Sequence, residues 1–189
     1  RYILEPVEPN MESSHLQIHN RDVWESFGYK GEGTVVAVLD TGIDAGHKDM
    51  VLTNPAKAKL SKPIVEKVLA DNPTLVGKFL TDKVPFSYNY FDNSFENKDL
   101  GVDPSMHGMH VAGTIGANGP TDDALGESIT GVAPETQLLN MKVFGNDAFY
   151  TTTYTDIYIK AIDDAIKLGA DAVNLSLGSP AGTNFQDDV

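Results

Sequence analysis

The sequence predicts an α/β fold, a parallel β-sheet with helices on both faces. Three observations predict it. Val35-Val36-Ala37-Val38-Leu39 and Gln137-Leu138-Leu139-Asn140-Met141-Lys142-Val143-Phe144 are short, mostly apolar runs, the texture of strands covered on both sides. Thr155 to Leu168 places Tyr158, Ile162, Ala165 and Ile166 on one helical stripe, with Asp156 in the first turn and Gly169 at the end. Asp171-Ala172-Val173-Asn174-Leu175-Ser176-Leu177 then reads as a third strand, and strand–helix–strand alternation is the pattern of parallel sheets. With 189 residues, 41% hydrophobic and 22% charged, the chain can bury one real core.

Taken in order, residues 1–15 carry Pro6, Pro9, Asn10, Ser13 and Ser14 with little periodicity, so they read as an N-terminal arm, and residues 16–189 as the folded unit. Arg21 to Phe27 fits a short helix stopped by Gly28, with Val23, Trp24 and Phe27 inward. Tyr29 to Gly33 is a turn into the first buried strand. Its Gly-x-Gly precedes that strand, whereas a dinucleotide loop needs its glycines after one, which argues against nucleotide binding. Pro63 to Asp71 reads as a helix with Ile64, Val65, Val68 and Leu69 on one face. Val84 to Phe91 reads as a strand, and Pro85 near its start argues for a sheet edge. A polar loop from Asp92 to Ser105 leads to the helix that opens at His107, and Asn118 to Glu127 is a further loop.

Fourteen basic against twenty-seven acidic residues give a net charge of −13, which repels phosphate backbones and anionic membranes and favours cationic peptides or metal ions. Nucleic acid is therefore not an expected partner. The absence of cysteine excludes disulfides, Cys-ligated zinc and thiol catalysis. No apolar run reaches the roughly 18 residues needed to span a bilayer.

His107-Gly108-Met109-His110-Val111-Ala112-Gly113-Thr114-Ile115 puts a histidine at the head of a run of small and apolar residues, so the helix can approach other backbone closely. Asp40 follows the first buried strand and emerges at its carboxyl end, the edge where open α/β sheets build sites. An Asp and a His brought together from distant parts of a chain do one well-understood job: the carboxylate orients the imidazole, which takes a proton from a nucleophile. His110 is expected to be a hydrogen-bonded core residue, and His47 a loop residue near Asp40. Asp40-Thr41-Gly42 also matches the aspartic-protease signature, but no second Asp-Thr-Gly or Asp-Ser-Gly supplies the partner carboxylate. His107 and His110 lack the four-residue spacing and intervening glutamate of helical zinc sites.

Val36 to Asp44 and His107 to Thr114 resemble the Asp and His motifs of the subtilisin-like serine proteases. Gly131-Val132-Ala133-Pro134, leading into Met141-Lys142-Val143-Phe144, and Asn174-Leu175-Ser176-Leu177-Gly178-Ser179 are similar to two further motifs of that family, in the family's order. The segment between the Asp and His motifs, with Met109 in the second, resembles the large cell-envelope proteinases of Gram-positive bacteria, the lactocepins and their streptococcal relatives. The sequence departs from the pattern in one respect: it contains no Gly-Thr-Ser nucleophile motif.

The resemblance implies a serine endopeptidase in which Asp40 orients His107, the general base, while the nucleophilic serine lies outside this chain. Residues 16–189 would be the N-terminal part of a catalytic domain, completed by later residues or by a second chain, and this chain alone would be inactive. Arg1 in place of Met points to processing, and the polar stretch Gly182 to Val189 is a plausible place for a cut. An extended protein or peptide substrate would add as a strand between Gly145 to Phe149 and Ser176-Leu177-Gly178, with Phe144 bordering the pocket nearest the site. Asp49 matches an aspartate that supplies a structural calcium site in many subtilisins, facing the loop 118–130 with Asp122 and Asp123. The family implies an extracellular protein associated with the cell envelope. The alternative is a subtilase-like fold kept as a non-catalytic binding or structural module.

Overall fold

The structure, a computed structural model, describes residues 11–100, 106–120, 128–146 and 152–178. Among the described residues four strands, β1 (Val35–Asp40), β2 (Phe86–Asn89), β3 (Gln137–Lys142) and β4 (Ala172–Asn174), form one sheet in the order β2-β3-β1-β4. Each neighbouring pair is parallel, so the expected α/β architecture is present. The helices are α1 (Met11–Gln17), α2 (Asn20–Phe27), α3 (Lys62–Asp71), α4 (His107–Gly116) and α5 (Thr155–Lys167).

The period-2 alternation of the two central strands sorts the core onto two faces. Val35, Ala37 and Leu39 of β1 and Leu139 and Met141 of β3 pack with Val65 of α3 and with Ala161 and Ala165 of α5. Val38 and Leu138 point the other way and pack with Ala112 of α4. Asp40, Asn140 and Lys142 continue this second set along β1 and β3. The Gly131-Val132-Ala133 motif closes the carboxyl end of α4: its three N–H groups donate to Ala117 O, Thr114 O and Ile115 O at 2.8–3.0 Å. Carbonyls that a helix end leaves without partners are thereby satisfied by the chain that leads into β3.

Several local expectations change. Residues 11–17 are helical, although the sequence reads as an aperiodic arm as far as residue 15, and His15 is buried with Nε2 2.8 Å from the Thr130 carbonyl oxygen. In α2, Val23 and Phe27 are exposed, while Asn20 is buried and Trp24 Nε1 donates to Val132 O at 3.1 Å. That helix is held by polar anchors rather than by an apolar stripe. Ile64 on α3 and Ile166 on α5 are also exposed, because the buried faces centre on Val65 and on Ala161, Asp164 and Ala165. The strand expected at 171–177 is ordered as strand only over Ala172–Asn174, where it pairs with Val36–Val38 of β1, so Ser176, Leu177 and Gly178 lie beyond it. The strand expected at 84–91 is confined to Phe86–Asn89, at the sheet edge that Pro85 suggested.

Candidate active site

Asp40 is the last residue of β1, and its carboxylate is 1% exposed. Its Oδ1 accepts the Thr41 N–H at 2.7 Å and lies 2.8 Å from Nδ1 of His107, the first residue of α4. A carboxylate only accepts, so the imidazole carries its proton on Nδ1 and Nε2 is the basic nitrogen. The His107 side chain is about half exposed, at 49%, so one end of the ring is held in the protein while the ring remains accessible. This is a rigid acceptor behind an accessible base, the arrangement that general-base chemistry needs.

Glycine makes the approach possible. A Cβ on Gly108 would stand 2.7 Å from Gly42 O and 3.1 Å from Asp40 Cβ, so any larger residue would push the first turn of α4 off the Asp40 turn. Gly42 itself has φ +125° and is covered by the Asn97 carbonyl, which would lie 2.7 Å from a Cβ there. The loop carrying Asn97 is pinned in turn. Asn97 O accepts from Ile43 N at 3.0 Å and Asn140 Nδ2 at 2.8 Å, and Lys98 pairs with Asp44 at 2.9 Å. Burial opposes the charge on Asp44, but Lys98 and the Gly46 N–H outweigh it and hold that carboxyl below its ordinary value.

Two residues to which the sequence assigned no role in the site complete it. Thr41 binds both halves: its N–H goes to Asp40, and its Oγ1 accepts the Gly108 N–H at 3.0 Å. Lys142 pairs in register with Asp40 across the sheet, is fully buried, and donates from Nζ to the Thr41 carbonyl. β3 also buries Gln137 and Asn140, so one more polar residue in it was no distinct local signal.

The other expected residues are placed as follows. His110 is exposed rather than in the core, since three residues on from His107 it lies on the solvent side of α4. His47 is exposed, and its Nδ1 accepts the Asp49 N–H at 3.2 Å. Phe144 and Gly145 follow β3, and Ser176, Leu177 and Gly178 follow β4. Because β3 and β4 are the two neighbours of β1, the two segments leave the sheet on either side of Asp40. Residues 147–149 of the first segment lie outside the described residues. Gly145 is buried against the ring of Phe91, and Ser176 Oγ donates to Asn174 Oδ1 at 2.9 Å.

Asp49 is buried beside the loop that follows α4: its Oδ2 accepts the Ile129 N–H at 3.0 Å, and its main-chain oxygen accepts from Asn118 at 2.8 Å. Its Oδ1 is buried without a hydrogen-bond donor among the described residues and lies 3.9 Å from the Lys48 ammonium. Such an oxygen fits a calcium ligand. Asp122 and Asp123 lie outside the described residues, and among the described residues no three His, Asp or Glu side chains gather as a metal cluster. No helix of the described residues is long and apolar enough to cross a membrane.

The family model described as "Subtilase family" matches residues 31–189. The chain is 50% identical over 166 residues to the PII-type proteinase of Lacticaseibacillus paracasei, covering 88% of this chain and 8% of that protein. It is 38% identical over 164 residues to a C5a peptidase of Streptococcus pyogenes, covering 86% of this chain and 13% of that protein. The chain thus spans about a tenth of the length of these relatives. Among solved structures it is similar in fold to the Clostridium perfringens CspB protease, with a TM-score of 0.56 at 20% identity, over 86% of this chain and 33% of that one.

Proposed function

The chain belongs to the subtilase family, and on that premise we propose that it supplies the aspartate and histidine of a serine endopeptidase acting on extended segments of proteins. The observation that carries this is the 2.8 Å contact between Asp40 Oδ1 and His107 Nδ1, made by residues 67 positions apart. The nucleophilic serine comes from residues outside this sequence, on the same chain or on a second one. His107 Nε2 takes the proton of that hydroxyl as its oxygen bonds to the substrate carbonyl carbon, and returns it to the leaving amine. Asp40 holds the imidazole in the required tautomer and stabilises its cation. The substrate lies as an added strand between Phe144-Gly145 and Ser176-Leu177-Gly178, and the net charge of −13 favours cationic segments.

Two further features belong to the same reading. Calcium bound at Asp49, with Asp122 and Asp123, would fix the loop after α4 and act on stability rather than on the chemical step. The protein works outside the cell, in association with the envelope.

A serine-reactive fluorophosphonate, applied to the intact protein that contains this chain, tests the proposal. Labelling of one serine, abolished by His107→Ala in a folded variant, is the expected result. Absence of labelling in the folded parent overturns it and leaves a non-catalytic binding module.

A further inference from the structure

We propose that Lys142 is a positioning residue for the Asp40–His107 pair, its ammonium clamping the Thr41 carbonyl and supplying a fixed positive charge beside the Asp40 turn. The proposal rests on the protease reading above. Lys142 is the last residue of β3 and pairs in register with Asp40, the last residue of β1. The alternation that turns Leu139 and Met141 toward α3 and α5 turns Asn140 and Lys142 toward the Asp40 side. There the side chain is fully buried, and Nζ donates to the Thr41 carbonyl oxygen.

Thr41 makes that bond consequential. Its carbonyl is held by Lys142, its N–H by Asp40 Oδ1 at 2.7 Å, and its Oγ1 by the N–H of Gly108 at 3.0 Å, one residue from His107. Every hydrogen-bonding group of this one residue thus ties the lysine, the carboxylate and the head of α4 to each other. The charged groups acting on Lys142 are Asp99, Asp92 and Glu96 in the loop before α4 and Asp40 on β1, and Asp40 Oδ1 in turn lies 2.8 Å from His107 Nδ1. Burial draws the Lys142 ammonium below the ordinary lysine range, while those four carboxylates favour its charged form.

A residue that only filled space here would be better served by methionine, which has similar length and no charge to desolvate. A residue that positions the pair is not replaceable in that way. Without the ammonium the Thr41 peptide is free to tilt, and Asp40 Oδ1 and the α4 head move relative to each other. Loss of the positive charge also removes a repulsion on the imidazolium, so His107 holds its proton to higher pH.

The test compares the intact protease with its Lys142→Met and Lys142→Gln variants, by peptide hydrolysis across pH, fluorophosphonate labelling rate and thermal unfolding. For Lys142→Met we expect kcat to fall roughly 10- to 100-fold with KM nearly unchanged. Its acidic limb should move to higher pH, on the order of half a unit, in a variant that thermal unfolding shows to be folded at the assay temperature. Lys142→Gln keeps a donor for the Thr41 carbonyl and loses the charge, so it should retain more turnover and show the same displaced limb. A folded Lys142→Met with parental kcat and parental pH profile overturns the inference. Should that variant fail to fold, an undisplaced limb in Lys142→Gln overturns it equally. A parent that takes no fluorophosphonate label overturns the protease reading, and this inference with it.

Discussion

The Cβ that Gly108 lacks would stand 2.7 Å from the carbonyl oxygen of Gly42 and 2.8 Å from its nitrogen. The opening turn of α4 therefore rests on the peptide two residues after Asp40, and the distance from His107 to Asp40 is set by backbone contact. Gly108→Ala should displace the histidine while leaving its chemistry intact. In the intact protein kcat for peptide hydrolysis should drop on the order of 100-fold, with the protein still folded by circular dichroism. Wild-type turnover in a folded Gly108→Ala would show that this contact does not set the geometry.

The proton that Asp40 holds on Nδ1 of His107 sets a second expectation. Asp40→Asn keeps the shape of the side chain but can present an N–H toward Nδ1, which leaves Nε2 protonated and unable to act as a base. Turnover should fall on the order of 10⁴-fold, and His107→Ala should be at least as damaging. His110→Ala and His47→Ala alter exposed rings and should retain most of the activity. A folded His110→Ala as inactive as His107→Ala would overturn the assignment.

Lys83 gives the pH dependence of stability a defined sign. It is 1% exposed and donates to Pro134 O at 2.7 Å and Thr136 O at 2.6 Å. Burial pushes its ammonium from 10.5 down to about 7, against the opposing pull of Glu135. Between those two values the unfolded chain binds a proton that the folded chain does not, so this residue's contribution to stability grows as pH rises from about 7 and is lost as pH falls back through it. The slope is about 1.4 kcal/mol per pH unit where only one state is protonated. The unfolding temperature of the parent relative to Lys83→Gln should climb between pH 7 and pH 10. A difference that stays level over that range would show that the folded ammonium keeps its proton, against this expectation.

Calcium at Asp49 should show in stability before it shows in rate. Chelation should lower the unfolding temperature, and excess calcium should restore it by mass action. Asp49→Asn should abolish the response to calcium while leaving the fluorophosphonate reaction in place at low temperature. A transition unmoved by chelator would remove the ion from the proposal.

The sequence by itself determined the parallel sheet and the main helices, and marked Asp40 and His107 as the candidate pair. Hydrophobic period is a local property: a buried parallel strand has to be apolar on both faces, as 35–39 is, and a helix packed on a sheet has to repeat, as 155–167 does. Asp40 at a strand end and His107 ahead of small residues were legible for the same reason, since each breaks the apolar pattern of its own segment.

The tertiary structure decided which faces are covered and which polar groups meet. Neither depends on local spacing. Phe27 and Ile166 are apolar yet exposed, because burial is set by what packs opposite and the neighbouring faces are centred elsewhere. His15 lies in a stretch with no apolar period and is buried because Thr130, 115 positions away, supplies its acceptor. Lys142 acquires meaning only through the register of β3 against β1, which brings its ammonium to Thr41 across 101 residues of chain. A hydrogen bond of that range fixes no residue pattern near either partner, so the fold alone makes it visible.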